Sequence, residues 1–134
     1  MSVQTKWLIA DRVIETTFSG DITVEDLYAN DENILPMIQA GQKPIHIICD
    51  VTRVDRFPTH IVPIKKSAES YLRHNKMGWF ILIGLDNKVL RFLGQVIANA
   101  SGVQMRQTAT LEEAFTILRK VDPTLNIPDA QSHV

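Results

Sequence analysis

Apolar positions along this chain fall into two registers. Trp7 to Ala10 and Val13 to Phe18 are short, and in the second Val13, Glu15 and Thr17 alternate with Ile14, Thr16 and Phe18. That period of two predicts a half-exposed hairpin, turned at Asp11-Arg12 and ended by Gly20-Asp21. Pro44 to Val51 and Trp79 to Gly84 are nearly continuous apolar runs. Such runs are expected of parallel strands covered on both faces. The segments between them carry helical spacing. Thr23 and Asp26 form a capping box that opens a helix to about Ala40, with Leu27, Ile34, Leu35 and Ile38 as its buried stripe. Pro36 should kink or split this helix, and Gly41 should supply a left-handed stop. The third strand is expected over Ile45 to Val51, followed by a loop from Thr52 to Phe57. Pro58 suits the first turn of a second helix reaching about His74, whose regular part begins at Pro63. Asp86 or Asn87 caps a third helix, Lys88 to Ser101, closed by Gly102. Val103 to Gln107 is a short last strand. Thr110-Leu111-Glu112-Glu113 is a full capping box for a fourth helix that ends at Val121 before Asp122-Pro123.

The order is therefore ββαβαβαβα. It predicts an α/β fold: a mixed, mostly parallel five-stranded sheet with an N-terminal antiparallel hairpin, four helices and right-handed crossovers. No repeat, linker or low-complexity tract interrupts the 134 residues, so residues 1–134 are expected to form one domain with a frayed tail over 125–134. With 45% apolar residues the chain can build a core, and a net charge of −1 gives no broad electrostatic case for nucleic acid. The single cysteine allows no internal disulfide and fits a reducing compartment. The N-terminus lacks the apolar core of a signal peptide, and the longest apolar run, Trp79 to Leu85, is too short to span a bilayer. A cytoplasmic protein without membrane insertion is expected.

Candidate chemistry starts at Asp50, which the pattern puts at the C-terminal end of a buried strand, where ligand sites of open α/β sheets gather. Its local reading is a loop cap accepting backbone N–H bonds. Thr59 is a hydroxyl near a helix N-terminus, suited to phosphorylation or to ordinary capping. Cys49, inside a strand, reads as a buried small residue. His46, His60, His74 and His133 are scattered without the spacing of a local metal site, and alternation puts His46 and Ile48 on one face of the strand, Ile47 and Cys49 on the other. No Walker loop or Gly-x-Gly-x-x-Gly is present, and no cofactor is implied. Glu15, Asp21, Glu25, Asp26, Asp31 and Glu32 make an acidic stretch without Lys or Arg, whereas Arg53, Arg56, Lys65, Lys66, Arg73 and Lys76 outweigh Asp55 and Glu69. These stretches would steer a charged partner, neutralise each other between two copies, or simply be solvated. In the third helix apolar residues cover more than one stripe, and Gly94 with Ala98 forms a small-residue ridge. Leu90, Leu93, Gly94 and Ile97 are its candidate interface or pocket lid. The ending Ser132-His133-Val134 is a weak match to carboxylate motifs read by peptide-binding domains.

The hairpin ending Phe18-Ser19-Gly20-Asp21, the segment Ile48-Cys49-Asp50-Val51-Thr52-Arg53-Val54, Gly78-Trp79-Phe80, Arg91-Phe92-Leu93 and Leu111-Glu112-Glu113-Ala114 with Leu118 together resemble the STAS domain of anti-sigma-factor antagonists, nearest its SpoIIAA-like, STAS/SEC14-like bacterial branch. The resemblance implies a non-catalytic regulatory or ligand-binding module. It further implies a phosphorylation switch at the start of the helix after the buried strand, in an Asp-Ser-Ser-Gly motif. This chain has Phe57-Pro58-Thr59-His60 there, so the motif is missing and Thr59 is the nearby hydroxyl. The SEC14-like comparison implies an apolar pocket. The leading expectation is a homodimeric module holding a small apolar or amphipathic ligand, with Asp50, Thr52, Arg53, Thr59 and His60 as the ligand-binding or switch region. The second is a phosphorylation-controlled switch acting on a regulatory protein partner. The third is an enzyme using Asp50 with His60.

Overall fold

In the computed structural model, residues 3–84, 88–125 and 127 are described, with the backbone alone for Val89, Leu90 and Leu93. The elements are β1 (Val3–Ile9), β2 (Val13–Asp21), α1 (Val24–Ala40), β3 (Ile45–Arg56), α2 (Ile61–Leu72), β4 (Met77–Ile83), α3 (Lys88–Ser101), β5 (Gln104–Thr108) and α4 (Leu111–Val121). The strands form one sheet in the order β1-β2-β3-β4-β5. β1 and β2 are antiparallel and every later pair is parallel, as the apolar pattern predicted.

Alternation divides the core in two. Ile14 and Phe18 of β2, Ile45, Ile47, Cys49 and Val51 of β3, and Phe80 and Leu82 of β4 pack with α1 and α2 and with Ile97 of α3. Val13, Ile48, Ile81 and Ile83 point the other way and pack with Ala114 and Leu118 of α4. Leu125 and Ile127 join this second cluster, so chain packing continues past α4. The expected cap at Asp86 or Asn87, and residues 128–134 with the terminal motif, lie outside the described residues.

Several boundaries differ from the pattern, each for a physical reason. β3 does not end at Val51: Thr52 to Arg56 stays extended because it pairs with the end of β2, Ser19 opposite Arg53, Gly20 opposite Val54 and Asp21 opposite Arg56. Thr52 and Arg53 therefore lie on a strand and not in a loop. Asp50 is inside the strand, at the last residue of β3 that pairs with β4, opposite Ile83. α1 runs unbroken through Pro36, which is exposed, as is Glu32, whose carbonyl loses its partner to the proline and faces solvent. The stripe of α1 buries Leu27, Ile34 and Ile38 as expected, Leu35 packs half-buried beside them, and Asn30 joins the stripe unannounced. Asn30 is satisfied there, because its Oδ1 accepts the Thr5 hydroxyl at 2.6 Å.

Gly41 ends α1 in extended backbone, φ −80°, not in the left-handed region. A side chain is excluded by packing instead: a Cβ there would lie 2.7 Å from Ile45 Cδ1 and 2.8 Å from Trp7 Cη2. Gly102 closes α3 as expected, and does so in the left-handed region, φ +70°. α2 starts at Ile61 rather than Pro58, with Pro63 in its first turn, where no intrahelical N–H is needed. Thr23 and Asp26 make both bonds of the capping box. At α4, Thr110 caps Glu113 N, but the Glu113 carboxylate reaches back to Ala109 N, one residue earlier than a full box requires.

Candidate functional site

β2, β3 and β4 run parallel, and each leads into a helix that returns the chain to start the next parallel strand. The N-termini of α1, α2 and α3 are therefore gathered at one edge of the sheet and on one face. Among the described residues the large apolar side chains counted as exposed are Tyr28 (37%), Ile61 (44%), Val62 (75%) and Phe92 (58%). All four lie in the first two turns of those three helices. Water-facing apolar groups confined to one edge are unlike the scatter normal for a monomer surface. The charges are uneven along the same edge. Asp21, Glu25 and Asp26 stand at the entry to α1, with Asp21 directly opposite Arg56. Beyond it Arg53 and Arg56 on β3, Lys65 and Lys66 on α2 and Arg91 on α3 outweigh Asp55.

The switch-region candidates separate on this frame. The Asp50 Oδ1 accepts Thr52 N–H at 2.9 Å and the Thr52 hydroxyl at 2.7 Å. That local turn is the ordinary role of an aspartate in such a position. Thr59 and His60 are both exposed, immediately before α2, and His60 holds the N-cap position without a side-chain capping bond. Asp50 and His60 share no hydrogen bond, so the pair offered as acid and base is not assembled. Gly94 faces the sheet so closely that a Cβ would meet Gln107 Nε2 and Met105 Cε, each at 2.7 Å. The small-residue position is thus consumed by packing of α3 within the chain. Ile97 is half-buried against the core, and the side chains of Leu90 and Leu93 lie outside the described residues.

An apolar cavity of about 50 Å³ lies between the sheet and the helices, lined by Phe18, Leu27, Cys49, Tyr71, Leu82 and Gly94 among others. Asp50, Thr52, Arg53 and Thr59 are not in its wall, so the expected polar rim does not belong to it. Alternation explains this for Asp50: Cys49 and Val51 face the helices, and Asp50 points away from them. Burial pushes the Cys49 thiol far up, with Asp50 adding to the shift, which makes it an inert core residue as its strand position implied.

The opposite edge holds a polar cluster that no local spacing announces. The Asp122 Oδ2 accepts His46 Nε2–H at 2.7 Å and Arg12 Nη2–H at 2.7 Å. Its Oδ1 accepts Thr124 N–H at 3.0 Å and the Thr124 hydroxyl. Arg12 Nε–H also donates to the Pro44 carbonyl at 3.0 Å. His46 is 1% exposed, and its Nδ1 accepts Trp79 N–H at 2.9 Å. That bond fixes the proton on Nε2. Burial lowers the His46 pKa, against the opposing effect of Asp122, so the ring stays neutral. Burial works against the Asp122 charge, but hydrogen bonds from His46 and Thr124 outweigh it and hold its carboxyl below the usual range. The cluster resembles a catalytic Asp–His pair in outline only. Its second nitrogen is spent on a strand amide, so it has no lone pair for a substrate proton.

Other expected charges find local work. The Lys76 ammonium caps the C-terminus of α1, donating to Gln39 O at 2.5 Å and Gly41 O at 3.2 Å. Arg73 pairs with Glu69 on the exposed face of α2 at 3.7 Å. Ser67 on α2 donates to Asp31 on α1 at 2.8 Å. His74 Nδ1 accepts Lys76 N–H at 3.1 Å, and His133 lies outside the described residues. No described helix is long and apolar enough to cross a membrane.

No protein-family model matches the chain, and no curated protein matches it. Solved structures do. One is an uncharacterised protein of the DUF3478 family with a SpoIIAA-like fold from Shewanella loihica PV-4, with TM-score 0.62, 16% identity, and coverage of 87% of this chain and 91% of that one. Another is the anti-sigma factor antagonist SpoIIAA in its unphosphorylated form, with TM-score 0.62, 16% identity, and coverage of 92% and 99%. At this identity the likeness concerns the path of the chain. The element order, the mixed sheet and these matches together establish that the protein has the STAS/SpoIIAA-like fold.

Proposed function

We propose that the protein is a non-catalytic regulatory module whose protein partner docks on the edge where α1, α2 and α3 begin. The observation that carries this is the confinement of Tyr28, Ile61, Val62 and Phe92 to that edge. Apolar anchors ringed by charge are what a recognition surface needs: the anchors supply affinity, and the uneven charge sets orientation and encounter rate. The shared fold with an anti-sigma factor antagonist supports a regulatory role. The engaged Nδ1 of His46 and the inert Cys49 support the absence of catalysis. The partner is read as a different protein carrying apolar anchors and a charge pattern opposite to this one. Substituting Val62→Glu places a charge on the most exposed anchor without touching the core. It should abolish co-purification of the partner while leaving the melting temperature within about 2 °C, since exposed substitutions cost within about 0.5 kcal/mol. Retention of the complex by this variant and by Phe92→Glu would overturn the reading.

A second reading concerns control of that surface. Thr59 is exposed and directly precedes α2, whose N-cap side chain makes no capping bond. A phosphate there would be favoured by the first-turn amides and would put a dianion two residues before the anchor Ile61. Thr59→Glu should weaken partner binding and Thr59→Val should not. Equal affinities for the two variants would remove the switch.

A further inference from the structure

Tyr71 lines the cavity beneath α2 and is 8% exposed. Its hydroxyl makes no hydrogen bond among the described residues, and burial, with smaller contributions from neighbouring Cys49 and Asp31, pushes its pKa up, so the phenol keeps its proton. No fully enclosed side-chain polar atom in the described structure is without a partner. The Tyr71 oxygen, lacking one, therefore opens onto space that a water-sized group can reach. Buried phenol groups ordinarily find a hydrogen-bond partner, and here a molecule held in that space would supply it. The rest of the wall is apolar, from Ile64, Ala68, Phe80 and Leu82, apart from Ser67, whose hydroxyl is already given to Asp31.

We propose that this cavity is a binding site for a small neutral molecule, apolar except for one hydrogen-bond acceptor that takes the Tyr71 O–H. Size and charge set the class. One water needs about 10–15 Å³ of such space, so a cavity of about 50 Å³ admits about four non-hydrogen atoms. A short ketone or alcohol has that size. An anion would face the Asp31 carboxylate behind Ser67, and a cation would face hydrocarbon. The cavity lies beneath the docking edge, since Leu27, Phe57 and Ile64 line it, but its occupancy is read on the isolated protein and so fails or stands without reference to the partner reading.

The test is a titration of the methyl-labelled protein followed by NMR, with acetone, xenon and acetate as probes. Acetone and xenon should shift the methyls of Ile64, Ala68 and Leu82 saturably, and acetate should not. Tyr71→Phe should weaken acetone about three- to tenfold, the value of one neutral hydrogen bond, and leave xenon within about twofold. Ala68→Leu, which fills the cavity, should abolish both; should that variant not fold, Tyr71→Phe still decides. Shifts that are linear in acetone and spread over surface methyls would overturn the site. Equal acetone affinity in wild type and Tyr71→Phe would overturn the role of the phenol.

Discussion

Replacing Asp122 by alanine should be among the most damaging single changes that leave the apolar core untouched. The carboxylate accepts from His46, Arg12 and Thr124, and its side chain is 7% exposed against 2% for His46 and 17% for Arg12. Truncation leaves the His46 Nε2–H buried with no acceptor, at about 1–3 kcal/mol. It also strips the Arg12 guanidinium of its counter-charge, leaving it the neutral Pro44 carbonyl and Thr124 hydroxyl as acceptors. Breaking a buried ion pair from one side costs about 3–5 kcal/mol, and these two costs overlap, so about 4 kcal/mol is expected. For a chain of 134 residues that lowers the melting temperature by about 10–15 °C. Asp122→Asn keeps an oxygen for His46 and loses the charge facing Arg12, so it should fall near half that cost. Lys120→Ala, exposed on the same helix, should stay within about 0.5 kcal/mol. Urea unfolding followed by circular dichroism at neutral pH gives all three values. A cost below about 1 kcal/mol for Asp122→Ala would refute the claim that the cluster ties α4 to the starts of β2, β3 and β4.

Three further outcomes follow from the same structure. As pH falls below 6.5 the unfolded chain protonates a histidine that folded His46 keeps neutral, which lowers stability, while folded Asp31, raised to about 6 mainly by burial, takes up a proton that its unfolded counterpart refuses until 3.8, which raises it. Asp31→Asn removes only the second effect, so unfolding curves should show this variant losing stability faster than wild type between pH 6.5 and 3.8; parallel profiles would contradict the assignment. Gly78→Ala would put a Cβ 2.5 Å from His46 Cε1 and 2.6 Å from Nδ1, and the ring cannot yield without breaking its bonds to Trp79 and Asp122, so a loss of about 1–3 kcal/mol is expected by urea unfolding. Pro36→Ala should stabilise the protein by about 1–3 kcal/mol, because it restores an N–H to the exposed interior of α1 and relieves the ring contact with the preceding turn; an unchanged unfolding midpoint would count against that account.

Element order was readable because strands covered on both faces are nearly continuous apolar runs, as Phe80 to Ile83 is and as Ile45 to Cys49 is apart from His46. Capping chemistry at Thr23 and Thr110 marked two helix starts for equally local reasons. The extension of β3 was hidden because beyond Asp50 it pairs with β2 alone and leaves Thr52 and Arg53 exposed, so it reads as a polar loop. The Arg12–His46–Asp122 cluster joins positions 76 and 110 residues apart, and each member has an adequate local reading as a turn, strand or helix-stop residue. Within the candidate site, the placing of Thr59 just before a second helix was legible from position, whereas the first residue of α2, Ile61 and not Pro58, was not. Ile61, Val62 and Phe92 were not, because an apolar residue in an amphipathic helix reads as core until the layers are placed. Tyr71 was missed for the converse reason: it sits on the buried stripe, and only the cavity shows its hydroxyl to be unspent.

The most direct test of the docking edge is site-specific photo-crosslinking in cells, with the probe placed at Val62, at Phe92 and, as a control on the far helix, at Lys120. One defined partner protein crosslinked from positions 62 and 92 and absent from 120 is the predicted result. Adducts only to a second copy of this chain, the same products from all three positions, or none from 62 and 92 would contradict the account.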